Sequence, residues 1–430
     1  MTMAMSTQKK LIKDSSMDDL IRIKGGKKLN GEVTVSSCKN SVVAILPSVV
    51  MASEIVKLYD VPEIKDVEIL KKLLGLLNIS VRADDDELTI DPTEIVNVDL
   101  LDEDVMKLRA SYYFMGALLG RFKHVKMYSP GGCNLGPRPI DLHLKGFEAL
   151  GARIRQDGNI IEIDAEELLG DDIYLDFASV GATINIMLAA CFAKGRTTIE
   201  NAAKEPEIID LSSMLNKMGA QIRGAGTSEI TINGVSRLKG CIHDIIPDRI
   251  EAGTYIIAAA ACGEDVTVRN VIPQHIEALT SKLEEMGVKL EQGSDYVRVY
   301  GREDLKAVDI ITQPFPGFAT DLQQPLTSLL TKAQGDSHIE ETIYAERFKH
   351  CKELNSMGAK IDFETGNSYI HGPTPLSGTD IFATDLRCGA ALVIAGLMAD
   401  GETVIHNAYH IYRGYDSIVQ KLRALGAEIE

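Results

Sequence analysis

Six stretches of the chain are strongly apolar and long enough for helices: SVVAILPSVVMA, SYYFMGALLGRF, ATINIMLAACFA, AGTYIIAAAAC, LQQPLTSLLTK and GAALVIAGLMA. A short segment with strand character follows each, namely VKLYDV, HVKMYS, TTIENA, VTVRNV, HIEETI and TVIHNA. A loop and a second helix then lead to a recurring junction, seen in FEALGARI, LNKMGAQI, LEEMGVKL, LNSMGAKI and LRALGAEI. Its glycines are Gly151, Gly219, Gly287, Gly358 and Gly426, separated by 68, 68, 71 and 68 residues. An earlier copy, LLGLLNISV, puts Asn78 in the glycine position, 73 residues before Gly151. Gly or Asn just past a helix can take the left-handed conformation that ends it. The spacing therefore predicts six copies of one helix-to-strand junction.

With two strands after each junction, the unit reads β-α-β-α-β-β, which indicates a layered α/β architecture. A period near 70 exceeds that of solenoid repeats. The ends are out of phase with the unit. The chain stops just after the sixth junction, and Leu20–Val35 resembles the missing second half, so it is expected to complete the sixth unit. Three units per half place the crossings near Cys38–Lys39 and Pro247–Asp248. The expected domains are 1–38 with 247–430, carrying both termini, and an inserted 39–246. Two linkers between two halves suggest a cleft that closes.

Composition narrows the function. Acidic residues outnumber basic ones by 62 to 45 in 430 residues, which argues against a general nucleic-acid binder. No apolar run reaches 18 residues, so no transmembrane helix is expected. The polar start MTMAMSTQKKLIKDSSMDD reads as a disordered leader and not a secretory signal. Seven scattered cysteines without CxxC spacing argue against a disulfide framework or zinc site and for the reducing cytoplasm. No P-loop, GxGxxG or HExxH is present, so nucleotide hydrolysis, hydride transfer and zinc hydrolysis have no support.

The candidate chemistry sits where the apolar helices begin. These starts carry Lys39, Arg109, Ser179, Arg249, Asp321 and Arg387. Helix N-termini attract anions, and Ser, Thr and Asp there are ordinary caps. Thr320-Asp321 and Thr384-Asp385 could be no more than caps. Cations are disfavoured at such ends, so their recurrence points to function. The Gly- and Pro-rich loop SPGGCNLGPRPIDLH, about residues 128–143, holds Cys133, Arg138 and His143. Nearby cations activate a thiol, whereas Cys191 and Cys262 lie in apolar helices and read as packing. Arg347 and Arg413 follow the fifth and sixth strands. With Lys39, Arg109, Arg138 and Arg387 they could line a cationic cleft that focuses a phosphorylated or carboxylated substrate.

These motifs, GEVTVSSCKN, MKLRAS, GGCNLGPRPIDLH, SVGAT, NAAKEPEI, PDRIEAGT, TDLQQP, ATDLR and YHIYRGYD in that order, closely resemble the UDP-N-acetylglucosamine 1-carboxyvinyltransferase family. The resemblance spans residues 20–430. It implies two inside-out α/β domains, each of three units about a pseudo-threefold axis. It implies transfer of enolpyruvyl from phosphoenolpyruvate to a sugar 3-hydroxyl, with no metal or redox cofactor. Cys133 would protonate the phosphoenolpyruvate methylene, and Asp321 would be the base for the hydroxyl. Lys39, Asn40, Arg138 and Arg413 match phosphoenolpyruvate contacts. Asn40, Arg109, Arg138, Pro139, Ile140, Asp141, Leu142, His143, Ser179, Val180, Gly181, Asp321 and Ile343 match nucleotide-sugar contacts, with Arg347 and Arg387 in support. Ser37, Cys38, Phe177, Cys388 and Tyr412 depart from the family pattern. Two other readings stay open: an enolpyruvyl transferase with another acceptor, including the shikimate type, and a non-catalytic UDP-sugar-binding relative.

Overall fold

The computed structural model describes residues 20–131 and 139–430. Cys133 and Arg138 therefore lie outside the described residues, as does the polar start.

Six apolar helices form the interior. Three of them, Arg249–Cys262, Thr320–Leu330 and Leu386–Met398, pack on one another. In the other half Tyr113–Phe122 packs between Lys39–Ser48 and Val180–Ala190. These helices are buried almost all round. Every residue of Leu386–Met398 is buried except the last, and every residue of Val180–Ala190 except the first. The second helices are amphipathic and lie outside; Ile418–Ala424 buries only Ile418, Val419 and Leu422. Central helices wrapped by sheets and outer helices give the inside-out α/β arrangement.

All six junction residues have positive φ: 61° at Asn78, then 93°, 108°, 92°, 107° and 100° at the five glycines. Each junction closes with the same bond, from the N–H after the junction residue to a carbonyl five residues back. The pairs run from Ile79→Leu74 and Ala152→Phe147 to Ala427→Leu422, at 2.9–3.1 Å.

Among the described residues there are five four-stranded sheets and one three-stranded sheet. In the third unit the leading strand Asp172–Tyr174 pairs in parallel with Arg196–Glu200 on the far side of its helix. Two antiparallel strands complete the sheet. Two units exchange leading strands. Leu29–Thr34 leads into helix Lys39–Ser48 but pairs with Gly263–Arg269. Ile242–Asp244 leads into helix Arg249–Cys262 but pairs with Val56–Tyr59. The segment Leu20–Val35 thus serves two units. Leu20–Lys24 completes the sixth sheet between Glu402–His406 and Glu428–Ile429, while Leu29–Thr34 belongs to the fourth. The expectation that the whole segment completes the sixth unit is corrected to that extent.

One hydrophobic core gathers residues from Ile21–Val35 and Ile250–Ile429. The other gathers residues from Cys38 to Ile245. Where the two passages meet, Ser37 bridges Pro247. Asp248 caps its own helix by accepting from the N–H groups of Ile250 and Glu251. It also accepts the N–H of Lys39, the first residue of a helix in the other core, at 2.9 Å. One carboxylate thus serves helix starts in both halves.

Candidate active site

The six interior helix starts carry the residues singled out in the sequence. Lys39 and Arg249 open their helices, and Arg109 opens a 3₁₀ turn before Tyr113–Phe122. Ser179 caps the third by accepting the Ala182 N–H at 3.3 Å. Asp385 caps the sixth through Arg387 and Cys388, so at Thr384-Asp385 the capping reading holds. It fails for Thr320-Asp321. The Asp321 side chain caps nothing in its own helix. Its Oδ1 accepts from Arg347 Nη1 at 2.7 Å, and its Oδ2 accepts from Arg387 Nε and Nη2 at 3.2 and 3.1 Å. Both arginines are deeply buried, 4% and 3% exposed, so neither is a solvated surface group. Burial pushes the Asp321 carboxyl upward. Arg387 and Arg347 more than offset this and hold it far below the usual carboxylate range.

A second cluster adjoins the first, since the Lys39 charge also acts on Asp321. Here Lys39 Nζ lies 3.3 Å from Asp66 Oδ2, and Arg413 Nε donates to Asp66 Oδ1 at 2.8 Å. Lys39 comes from one core and Arg413 from the other. The stem of Lys39 packs against Gly414, where a Cβ would come within 2.7 Å of its Cδ.

The third cluster belongs to the inserted half. Asn185 Oδ1 accepts the Gly116 N–H at 2.9 Å, which orients the amide so that Nδ2 donates to His143 Nδ1 at 2.8 Å. The ring proton then sits on Nε2. His143 is buried, and burial together with the Arg109 charge pulls it down to about 3, so it is neutral at pH 7. Arg109 lies over the Tyr112 ring and donates to the Pro130 carbonyl at 3.3 Å. Gly181 touches this group closely: a Cβ there would meet the His143 ring and the Tyr112 hydroxyl at 2.8 Å. Pro139 and Asp141 are exposed, and Asn40, Ile140, Leu142, Ser179, Val180 and Ile343 are half-buried.

Two participants carry no sequence signal. Asp66 sits in an unremarkable VPEIKDVEIL segment. Glu341 is buried and accepts from the Thr312 and Thr320 hydroxyls and from the Ile343 and Tyr344 N–H groups, all at 2.9–3.0 Å. Thr320 in turn accepts from Arg347, so Glu341 joins the Ile343 loop to the Asp321 pair. A signal for either would need a partner far away in sequence. Among the described residues His124, Glu162 and Asp164 bring donor atoms together in a way that could suit a metal. Arg155 already pairs with both carboxylates there, so the group reads as a surface ion network.

What the arrangement can do is hold an anion between cations from both halves, beside a carboxylate that can accept a hydrogen bond. The comparisons agree with this chemistry. The family model for EPSP synthase (3-phosphoshikimate 1-carboxyvinyltransferase) matches residues 23–422. UDP-N-acetylglucosamine 1-carboxyvinyltransferase 2 of Geobacillus kaustophilus is 56% identical over 96% of both chains. The protein of the same name from Listeria monocytogenes serotype 4b is 55% identical over 96% of this chain and 98% of its own. Among solved structures, the enolpyruvyl transferase NikO from Streptomyces tendae superposes with a TM-score of 0.86 at 26% identity. That match covers 96% of this chain and 98% of NikO. An EPSP synthase from Acinetobacter baumannii shares the fold, with a TM-score of 0.73 at 18% identity over 96% of this chain and all of its own. Near-complete coverage at more than half identity, on a site built across both cores, shows that the chain belongs to the UDP-N-acetylglucosamine 1-carboxyvinyltransferase family.

Proposed function

We propose that the chain transfers the enolpyruvyl group of phosphoenolpyruvate to the 3-hydroxyl of UDP-N-acetylglucosamine and releases phosphate, the first committed step of peptidoglycan synthesis. The observation that carries this reading is the convergence of Lys39, Arg347, Arg387 and Arg413 on Asp66 and Asp321 from both cores. Phosphoenolpyruvate carries phosphate and carboxylate on three carbons, and such a cluster can bind both. The division that closes on it is 1–38 with 247–430 against 39–246, supported by the two separate cores.

The reaction adds the 3-hydroxyl oxygen to C2 of the donor while Cys133 delivers a proton to C3. Asp321 receives the hydroxyl proton. Loss of phosphate from C2 and of a proton from C3 then restores the enol ether. Asp321 is a weak base while both oxygens are taken by arginines. If Arg387 turns to the donor phosphate, it frees Oδ2 and lets the basicity rise. Lys39, Asn40, Arg138 and Arg413 hold the donor. Arg109, the 139–143 segment, Ser179, Val180, Gly181 and Ile343 receive the nucleotide sugar. Neutral His143 is a hydrogen-bonding wall and not an acid. We place the reaction in the cytoplasm, since the six described cysteines are unpaired thiols, a state that a reducing compartment preserves.

The test is phosphate release with phosphoenolpyruvate and either acceptor. Release with UDP-N-acetylglucosamine and none with shikimate 3-phosphate is expected. The reverse would establish the other acceptor class, and no release with either would leave a binding protein.

A further inference from the structure

We propose that Asp66 is a positioning residue for the donor: a built-in anion that holds Lys39 and Arg413 together across the cleft and leaves one net positive charge there instead of two. The inference rests on the placement of the donor at Lys39 and Arg413. Asp66 lies in the first turn of helix Lys65–Leu76, and its side chain is 1% exposed. Its Oδ1 accepts from Arg413 Nε at 2.8 Å. Its Oδ2 lies 3.4 Å from Arg413 Nη2 and 3.3 Å from Lys39 Nζ. Both cations are themselves largely covered, at 14% and 15% exposed.

A second carboxylate reaches back over the same seam. Asp416, three residues after Arg413, accepts the N–H of Glu63, three residues before Asp66, at 3.0 Å. The loop before Asp66 and the loop after Arg413 are thus tied together twice, once in each direction. A buried carboxylate shared by two cations from different cores is costly unless the pairing is kept. It also competes with any other anion for the same donors. That competition sets donor affinity low enough for product phosphate to leave, while the pairing fixes where both cations point.

The expected effect follows from charge. Asp66→Asn removes one negative charge a few ångströms from the donor phosphate. At an effective dielectric of about 20 this raises anion affinity by at least about tenfold. Calorimetry with inorganic phosphate on Asp66→Asn should show that tightening, and kinetics should show KM for phosphoenolpyruvate and kcat falling together. A purely structural Asp66 would instead raise KM and leave phosphate binding equal or weaker, which would overturn the proposal. If Asp66→Asn is destabilised, phosphate must raise its melting temperature more than that of the wild type; a smaller rise overturns the proposal equally. Asp66→Glu keeps the charge but displaces it. Its phosphate affinity should stay within about twofold of wild type while kcat falls several-fold, and an unchanged kcat would refute the positioning role. Arg413→Met separates the two levels. If it leaves phosphate binding untouched, the donor is not at this site and both readings fall. If it weakens binding, the Asp66 result stands on its own.

Discussion

Replacing Asp321 by Asn tests the proposed base. The carboxylate holds two arginines that are 4% and 3% exposed. Removing one partner of a buried pair costs about 3–5 kcal/mol. The amide keeps one acceptor atom for either Arg347 or Arg387, so a loss of roughly 2–4 kcal/mol is expected. For a half of this size that lowers the melting temperature by roughly 5–15 °C. Turnover should fall by roughly 10²–10⁴ if the carboxylate accepts the proton. Donor saturation separates the roles. If Asp321 only orients Arg387 and Arg347, high phosphoenolpyruvate restores kcat. If it is the base, kcat stays low at any donor concentration. The sign of the pH effect is also set. A carboxyl held below its ordinary value contributes stability above about pH 4, which is lost only as pH falls further toward the folded value. Asp321 is therefore ionised throughout pH 5–9 in the free enzyme and gives kcat/KM no limb there. Near-normal turnover in folded Asp321→Asn would refute the base assignment. An acid limb of kcat/KM near pH 6 that disappears in this variant would instead contradict the depressed carboxyl of the free enzyme, and would leave the base role standing.

The other expectations concern separate residues. Burial pushes the thiols of Cys191, Cys262 and Cys388 up to about 12 and that of Cys241 to about 11. The epoxide fosfomycin should therefore label Cys133 alone. Equal labelling of Cys241 by mass spectrometry would contradict this. Gly181→Ala forces a methyl against the His143 ring and the Tyr112 hydroxyl. It should cost about 1–3 kcal/mol and raise KM for the nucleotide sugar more than for phosphoenolpyruvate; a wild-type KM would count against a sugar contact. Burial raises Glu251 to about 7 against the pull of Lys421, so its contribution is full below about pH 4 and lost as pH rises through 7. Relative to Glu251→Gln, wild-type stability in denaturant titrations should fall by something on the order of 2–4 kcal/mol between pH 4 and 8. A pH-independent difference would refute that assignment.

Much of the fold was legible because one local event repeats. A left-handed residue after a helix leaves a Gly or Asn at fixed spacing, and six such positions appear with the same five-residue closure. The cationic helix starts were legible for a related reason: Lys39, Arg109 and Arg387 oppose the helix dipole, so their presence needs an explanation beyond capping. The strand exchange was not legible. Leu29–Thr34 has the same alternation whether it pairs within the sixth unit or with Gly263–Arg269, because period two records a buried face and not a partner. Asp66 and Glu341 were missed because a buried carboxylate is defined by its neighbours. Arg413 lies 347 positions from Asp66 along the chain. The distinction between Asp321 and Asp385, both written Thr-Asp-Leu, likewise came from three-dimensional partners. One meets two arginines, and the other meets its own helix N–H groups.

The central claim is that the reaction takes place at the seam between the two cores. A crystal structure with UDP-N-acetylglucosamine and an unreactive phosphoenolpyruvate analogue tests it most directly. The account predicts the analogue's anionic groups against Lys39 and Arg413, and the sugar 3-hydroxyl within hydrogen-bond reach of Asp321. The nucleotide should lie along the 139–143 segment of the other half. Ligands bound to one core alone, or a donor site away from Lys39 and Arg413, would contradict the account.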